Sequence, residues 1–260
     1  MTTSLSKSLA KSLLPWALPI VLIILWQLLG QFGIISTRIL STPLAVLTAG
    51  IHLAQKGTLF EYIGSSSKRA FLGFAIGGSI GFALGLLNGL LPFLEKLTDT
   101  SVQMLRNIPH LALIPLVILW FGIGEEGKLF LVALGVFFPI YLNTFHGIRS
   151  VDPGLIEMGR VYGLRHLHLF RKVIIPGALP SILVGVRFSL GIMWITLIVA
   201  ETISSSSGIG YMAMNAREFL QMDVVILSII VYALLGKLSD YIAKLLERAW
   251  LQWHPNYLKS

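Results

Sequence analysis

Residues 122–128 have the spacing of a nucleotide-binding loop, so nucleotide chemistry is the first possibility to weigh. The stretch Gly-Ile-Gly-Glu-Glu-Gly-Lys matches G-x-G-x-x-G and most of the P-loop pattern G-x-x-x-x-G-K. Leu129 stands where a P-loop has the Ser or Thr that holds Mg²⁺, and Glu125 and Glu126 would repel phosphate. No strand-to-helix context surrounds the stretch. We therefore interpret it as a turn between two apolar segments and expect no nucleotide site in this chain.

Metal and nucleophile chemistry is also unsupported. The chain has no cysteine, which excludes disulfides, thiolate metal sites and cysteine nucleophiles. Its six histidines are scattered, and His166 and His168, two positions apart, point to different faces of a helix. No H-E-x-x-H pattern occurs, so no metal site is expected. These residues predict a protein that is not an enzyme and that binds no cofactor of its own.

Long apolar segments surround these residues. Of the 260 residues, 55% are hydrophobic and only 12% are charged, and the mean hydropathy is +0.80. A soluble domain carries roughly twice that charged fraction. Six segments approach the ~20 residues that cross a bilayer: residues 13–29, 70–94, 102–121, 129–148, 177–200 and 224–245. No small-x-small cleavage site follows the first segment, so we expect it to remain uncleaved. The composition predicts an all-α integral membrane protein with about six transmembrane helices.

The segments between the spans differ in length and character. Residues 44–53 are expected to form a surface helix, and residues 92–101 a short connection. The third span, residues 102–121, contains Pro109 and Pro115 and carries Arg106 and Asn107 near its start.

The distribution of charge predicts the orientation. With the N-terminus inside the cell, the inner segments hold 12 basic and 6 acidic residues, whereas the outer segments hold 6 of each. The net charge of +8 therefore follows the positive-inside rule and does not indicate a nucleic-acid-binding face. Both termini and residues 149–176 are predicted to be cytoplasmic.

Glycines recur at positions 73, 77, 81, 85 and 89, in steps of four residues. Each step advances about 40° beyond one helical turn, so the glycines form a slowly winding groove. Such a groove lets a second helix approach closely. Close packing inside one subunit and a seam between two subunits both remain open.

Residues 152–176 are amphipathic and lie between two apolar spans. Asp152 can cap a helix, Pro153 suits its first position, and Gly163 is a natural stop. Leu155, Ile156, Val161 and Tyr162 are expected to form an apolar face. A second short helix is predicted to follow, with Arg165, His166, His168, Arg171 and Lys172 on its polar side, and to end at Pro176. From periodicity alone, an interfacial loop without a partner remains the alternative.

The spacing in this loop resembles that of the permease subunits of bacterial ABC importers. Their cytoplasmic loop has the pattern E-A-A, three residues, G, nine residues, I-x-L-P. This chain has Glu157-Met-Gly, three residues, Gly163, nine residues, then Val173-Ile-Ile175-Pro176. The spacing is kept, and the departures are small or apolar replacements.

Longer strings resemble the aliphatic-sulfonate permeases of that class, which are close to the taurine and nitrate permeases. The resemblance extends over about residues 16–257 and is carried by residues 103–122 (QMLRNIPHLALIPLVILWFG), 138–149 (FPIYLNTFHGIR), 184–194 (VGVRFSLGIMW), 198–203 (IVAETI) and 208–217 (GIGYMAMNAR). Aliphatic sulfonates are the implied substrates, with taurine, nitrate or another small anion as the alternative.

The resemblance implies a type I ABC importer permease fold that works by alternating access. The expected partners are a second copy of the chain, two ATPase subunits that hold ATP and Mg²⁺, and a periplasmic sulfonate-binding protein. The implied coupling residues are Glu157, Gly163, Val173, Ile175 and Pro176. We divide the chain into residues 1–66 (N-terminal tail, first span and periplasmic segment), 67–250 (core transmembrane domain with the coupling loop 149–176) and 251–260 (cytoplasmic tail), all at the bacterial inner membrane.

Two other classes were compared with this interpretation. An ion-coupled secondary transporter would need acidic residues inside spans or inverted repeats, and the sequence indicates neither. An intramembrane enzyme would need a paired catalytic constellation at one depth, which is also absent from the pattern.

Arg187 lies well inside the fifth span, where a guanidinium costs about 2.5–3.5 kcal/mol on insertion scales. Such a cost indicates a wet cavity or a partner. A guanidinium can bind two oxygens of a sulfonate, so an anion path is one interpretation. Bonding to backbone carbonyls or to an acid of another helix is the other. The candidate substrate-path residues are Arg106, Asn107, Arg187 and Trp194.

Overall fold

The computed structural model describes residues 2–253, with side chains described for residues 17–203 and 205–253. Regular structure in this part of the chain is helical. The helices are α1 (Thr2–Gln31), α2 (Pro43–Gln55), α3 (Thr58–Leu90), α4 (Pro92–Arg106), α5 (Ile114–Phe121), α6 (Glu125–Arg149), α7 (Pro153–Val161), α8 (His166–Leu169), α9 (Ile175–Ser204), α10 (Ile209–Glu218) and α11 (Met222–Trp250). A 3₁₀ turn, His110–Leu113, precedes α5, and a π-helical turn, Phe170–Ile174, joins α8 to α9. The predicted cytoplasmic tail at 251–260 falls mostly outside the described residues.

Four helical stretches in the described residues are long and apolar enough to cross a membrane: α3, α6, α11 and the stretch His166–Ile203. The bent pair formed by α4 and residues His110–Phe121 raises the number to five when it is counted as one span. The predicted first span, residues 13–29, lies only partly among residues with described side chains. Its described part, Ala17–Gln31, is a shorter apolar helix. The all-α membrane fold is therefore confirmed, and the predicted surface helix at 44–53 corresponds to α2.

The third span, predicted at residues 102–121 with Pro109 and Pro115 within it, begins earlier than the sequence indicated and breaks at only the first of the two prolines. Residues 92–101, predicted to be a connection, form the first two-thirds of α4, with Pro92 in its first turn. The helix ends at Arg106, and the axis bends by 80° before α5. Pro109 explains the break, because a proline disfavours the α conformation of the residue before it and has no N–H for a helical bond.

The prediction that Pro176 ends the second loop helix is wrong. Pro176 lies in the first turn of α9, and the helical path runs on from His166 to Ile203. The wide π-helical turn at Phe170–Ile174 immediately precedes it. A π-helical turn replaces the i→i+4 hydrogen bonds of an α-helix with i→i+5 bonds. The missing N–H of the proline is accommodated by this change, so the chain continues as a helix.

The glycine groove of α3 packs against α6 of the same chain. A Cβ added at Gly81 would lie 2.6 Å from the Phe137 carbonyl oxygen, and one at Gly85 would lie 2.6 Å from that of Tyr141. Both steps are four residues long, so the two helices keep the same register over successive turns. Of the two possibilities left open, the structure shows packing inside one subunit.

The chain divides into two compact units. One contains the residues up to Tyr62 together with Met212–Val231, and in it Gly50 of α2 packs against Leu227. The other contains Ile63–Tyr211 and the chain from Tyr232 onward. Its core includes Val136, Tyr141, Met193 and Leu197, contributed by α6 and α9. The candidate functional residues described below lie in this second unit.

Candidate functional site

The loop between α6 and α9 begins as its sequence predicts. The Asp152 Oδ1 accepts a hydrogen bond from the Gly154 N–H at 2.8 Å, so it caps α7. Pro153 lies in the first turn, where a missing N–H leaves no helical bond unmade.

Gly163 makes the turn between the two short helices. Its φ is +80°, its N–H donates to the Arg160 carbonyl at 2.9 Å, and the Leu164 N–H donates to the Gly159 carbonyl at 3.0 Å. A Cβ added at Gly163 would meet nothing within 4 Å. The left-handed backbone, not lack of space, therefore requires glycine here, and the predicted helix stop at Gly163 is confirmed.

One face of the loop packs onto the ends of α6 and α9. Ile156, Val173 and Ile174 pack against a buried cluster formed by Ile148, Val151, Ala178 and Ile182. Gly159 is buried here, and an added Cβ would lie 2.7 Å from the Leu169 side chain. This contact gives a physical reason for the glycine that replaces an alanine of the importer pattern.

The opposite face is uncovered. Val161 is 85% exposed, Tyr162 is 80% exposed and Leu155 is also exposed, so three of the four residues predicted to form an apolar face are uncovered. Met158 and Leu167 are also exposed, and Glu157 is exposed without a hydrogen bond or ion pair to any described residue. Asp152, and not Glu157, caps α7. Val173, Ile175 and Pro176 are half-buried at the loop's exit.

Two polar contacts join α4 to the helices beside the loop. Arg149, the last residue of α6, forms an ion pair with Glu95 of α4 and lies 5.9 Å from the ring centre of Phe145. Deeper in the protein, the Asn88 side-chain amide donates to Thr98 of α4 at 2.6 Å and to the Tyr141 hydroxyl at 2.9 Å. An ion pair therefore connects α4 directly to the residue at which α6 ends and the loop begins.

Arg187 has acidic partners on α11. Its Nε donates to the Asp240 Oδ1 at 2.7 Å, and its Nη1 lies 3.8 Å from the Glu247 Oε2. Lys244 shares Asp240, with its Nζ at 3.0 Å from Oδ2. Arg187 also lines a groove of about 480 Å³, whose wall is otherwise mainly apolar and includes Val184 and Phe188. Of the two interpretations of Arg187 given above, the observed contact matches the one in which it pairs with an acid of another helix.

The other substrate-path candidates do not lie together with Arg187 in this groove. Trp194 is buried, and its indole N–H donates to the Ser239 hydroxyl of α11 at 2.8 Å. Arg106 and Asn107 are exposed at the break between α4 and α5. In the same break, the His110 Nε2 lies 3.0 Å from the Thr196 hydroxyl of α9.

Sequence reasoning missed a buried polar cluster around Glu201. Its carboxylate accepts hydrogen bonds from the Ser66 hydroxyl at 2.7 Å, Arg69 Nη1 at 2.6 Å, the Tyr232 hydroxyl at 2.8 Å and the Gly210 N–H at 2.9 Å. The side chain of Glu201 is fully buried. The cluster therefore joins α3, α9, α10 and α11 through one carboxylate.

Arg69 extends this cluster to α6. It binds Glu125 through Nε at 2.5 Å and Nη2 at 2.8 Å, and it donates to the Ser207 carbonyl at 2.7 Å. Lys128, also buried, binds Glu125 at 3.0 Å. Each charge has a partner of opposite sign, which is the condition for burying it.

Glu201 and Asp240 correct the expectation that no acid lies inside a span, because Glu201 belongs to the span His166–Ile203 and Asp240 to the span Met222–Trp250. For the buried pair of Arg69 and Glu201, the signal available in the sequence was the position of the two charges. Arg69 directly precedes one charge-free run and Glu201 directly follows another. A buried acid that accepts four hydrogen bonds is satisfied, so it does not by itself indicate ion coupling.

The residues of the P-loop-like stretch have structural positions. Gly122 has a φ of +71° at the end of α5, and Gly124 precedes the first turn of α6. Gly127 is buried against Val117, and the Lys128 ammonium is paired with Glu125. The turn between two apolar helices is therefore confirmed.

Residues 77–252 match the family described as binding-protein-dependent transport system inner membrane component. The chain is 62% identical over 257 residues to the putative aliphatic sulfonates transport permease protein SsuC of Escherichia coli (strain K12), covering 99% of this chain and 97% of that protein. It is 48% identical over 240 residues to the protein of the same name from Bacillus subtilis (strain 168), covering 92% and 87%. A solved structure described as an amino acid ABC transporter with histidines has a TM-score of 0.63 at 19% identity, covering 76% of this chain and 96% of that one, which is a likeness of fold alone.

Proposed function

The chain belongs to the family of binding-protein-dependent transport system inner membrane components, and from that membership we propose that it moves aliphatic sulfonates through an ATP-driven importer. The observation that carries the substrate class is the 62% identity, over 99% of this chain, to a protein named as an aliphatic sulfonates permease. Transport by such a subunit means that the chain supplies the pathway and a separate ATPase supplies the energy.

The loop 149–176 is the proposed contact with that ATPase. Its inner face is packed on the ends of α6 and α9, whereas Val161, Tyr162 and Leu167 are uncovered apolar side chains among charged ones. Uncovered apolar residues with a polar rim are typical of a protein-binding surface. ATP and Mg²⁺ belong to the ATPase in this proposal. Lys128, the only lysine of the P-loop-like stretch, is occupied by Glu125 and is unsuited to hold a phosphate.

The assembly proposed is a homodimeric pore at the inner membrane, with both termini and the loop in the cytoplasm. The excess of basic residues in the inner segments supports this orientation. A periplasmic binding protein delivers the sulfonate at the opposite side of the membrane.

Arg187 is the proposed contact for the sulfonate head group along the path. Its guanidinium borders a groove whose other walls are largely apolar, which matches a substrate with an anionic head and an alkyl tail. Asp240 and Glu247 hold the guanidinium at this site, and a sulfonate that binds the guanidinium competes with these carboxylates. Arg106 and Asn107 extend the path at the break after α4, and Trp194 supports it by fixing α9 to Ser239 of α11.

Reconstituted transport tests the proposal. The permease and its ATPase are placed in proteoliposomes with ATP on the ATPase side, and uptake of radiolabelled ethanesulfonate is measured with the binding protein outside. We expect uptake that requires ATP and persists when an uncoupler abolishes the proton gradient. Excess taurine or nitrate should compete weakly. Uptake abolished by the uncoupler would identify an ion-coupled transporter, and preferred uptake of taurine or nitrate would replace the substrate class.

A further inference from the structure

A long groove follows the seam between α3 and α6 on the exposed side of the second unit. It has two adjoining parts that share Leu129 as a wall. One part, of about 380 Å³, is bordered by Ser65, Lys68 and Arg69. The other part, of about 360 Å³, is bordered by side chains such as Ile76, Ile80 and Phe137. The groove therefore changes from polar to apolar along its length.

The two parts of the groove together offer one available positive charge and one available negative charge. Arg69 and Lys128 are engaged by Glu125 and Glu201. Lys68 and Glu126 are exposed, and neither has an ion pair or hydrogen bond with any described residue. Lys68 borders the polar part, and Glu126 stands at the edge of the apolar part. The two charges therefore border adjoining parts of one groove.

The position of these charges along α3 indicates the depth of the groove. No charge occurs in α3 after Arg69, from residue 70 to residue 90. The polar part therefore lies at head-group level, and the apolar part lies within the hydrocarbon layer. From Ile76 to Ile80 the apolar wall on α3 is about 6 Å long at ~1.5 Å per residue. The groove is oriented as a lipid molecule is oriented in the bilayer.

We propose that this groove binds a zwitterionic phospholipid with a primary ammonium head group, such as phosphatidylethanolamine. The Lys68 ammonium binds the lipid phosphate, the Glu126 carboxylate accepts hydrogen bonds from the lipid ammonium, and one acyl chain lies against Ile76, Ile80 and Phe137. An anionic phospholipid satisfies Lys68 but meets the like charge of Glu126.

A second copy of the chain fits the groove less well. One apolar helix that such a copy offers is α1, whose side chains from Leu18 to Leu25 are exposed along its described part. The helix Thr2–Gln31 contains no acidic residue, so it leaves Lys68 without an anion. A head group that carries both signs satisfies both side chains at once.

Lipid retention by the assembled permease–ATPase complex tests the proposal. The complex is exchanged into mild detergent with equal amounts of phosphatidylethanolamine and phosphatidylglycerol, and bound lipid is counted by native mass spectrometry. We expect phosphatidylethanolamine to be retained preferentially. Lys68→Gln and Glu126→Gln should each reduce its retention by about fivefold, because each removes one of the two exposed ion pairs with the head group. Glu126→Gln should raise the retention of phosphatidylglycerol.

The matched controls are Lys56→Gln and Glu61→Gln, which remove the same charges from exposed positions outside the groove. They should retain lipid as the unaltered protein does. Equal retention of the two lipids, or unchanged retention in both groove variants, would overturn the proposal. A disulfide formed between Leu22→Cys of one copy and Ile80→Cys of another would assign the groove to α1 and also overturn it. The result of the lipid-retention experiment does not depend on which anion the protein transports.

Discussion

Arg69 and Glu201 are 132 positions apart in sequence, yet the Arg69 Nη1 lies 2.6 Å from the Glu201 Oε1 and both side chains are buried. Their contact fixes the end of α9 against the middle of α3, and Gly210 and Tyr232 add α10 and α11 to the same carboxylate. Gly208, at a φ of +104°, passes so close to Glu201 that a Cβ there would collide with the carboxylate. The pair therefore connects the four helices α3, α9, α10 and α11.

Removing one member of this pair should be strongly destabilising. Glu201→Leu leaves the Arg69 guanidinium buried with one carboxylate fewer, and losing one partner of a buried pair costs about 3–5 kcal/mol. Thermal unfolding in detergent should show a large decrease in the free energy of unfolding for Glu201→Leu. For Tyr232→Phe, which removes one hydrogen bond, the decrease should be about 1 kcal/mol. Glu61→Gln, an exposed acid of α3, is the control. Equal stability of Glu201→Leu and the control would refute the role of the pair.

Gly163→Val should uncouple ATP hydrolysis from transport. A β-branched residue at a φ of +80° costs at least the roughly 1–2 kcal/mol of left-handed backbone, so the loop should relax and move its exposed face. Gly163→Asn is the matched control, since asparagine tolerates this conformation. ATPase activity and ethanesulfonate uptake are measured on the same preparation. If Gly163→Val lowers uptake only in proportion to protein abundance, the glycine serves the fold alone.

Val161→Asp and Tyr162→Ala should weaken the association with the ATPase. Both side chains are more than three-quarters exposed in the isolated chain, so their loss removes apolar contact without disturbing the packed face. Co-purification of the ATPase should fall by tenfold or more if either residue is a central contact worth about 2 kcal/mol. Phe219→Ala, 69% exposed but outside the loop, should have no effect on that co-purification. Unchanged ATPase binding in both loop variants would place the interface elsewhere.

Arg187 variants separate a substrate role from a structural one. Arg187→Lys keeps the charge and loses the planar donor fork, whereas Arg187→Gln loses both. If the residue guides the sulfonate, both variants should assemble with the ATPase and take up less ethanesulfonate. Uptake by Arg187→Gln should be lower than uptake by Arg187→Lys.

The observed pair with Asp240 supplies a control for that experiment. Asp240→Asn removes the ionic partner at 2.7 Å and leaves Arg187 in place. Failure of both Arg187 variants and of Asp240→Asn to assemble would make the ion pair structural, and the substrate role would be abandoned.

The proposed orientation can be tested by labelling, because the chain contains no cysteine. A cysteine at Arg165, exposed in the loop, should react with a membrane-impermeant maleimide only after the inner membrane is opened. A cysteine at Ile123, 71% exposed in the turn before α6, should react in cells with an intact inner membrane. The reverse pattern would invert the topology.

The local pattern of the sequence determined most of the helices and the loop motif. A helix cap, a glycine stop and an apolar run depend on residues within one or two turns, so Asp152, Gly163 and α6 could be predicted from neighbours alone. The steps of four glycines also predicted a close helix contact. Spacing could not tell which helix would fill the groove, because one repeat fits a partner in the same subunit or in another.

Tertiary structure decided the features that depend on distant or competing interactions. The sequence places Arg69 and Glu201 beside two different apolar runs, and only the packing of α3 against α9 makes them one buried pair. Tertiary packing also decides the bend after Arg106 and the continuation of the helix through Pro176. A proline removes one N–H in either case, and the surrounding helices decide whether the chain breaks, as at Pro109, or widens into a π-helical turn and continues.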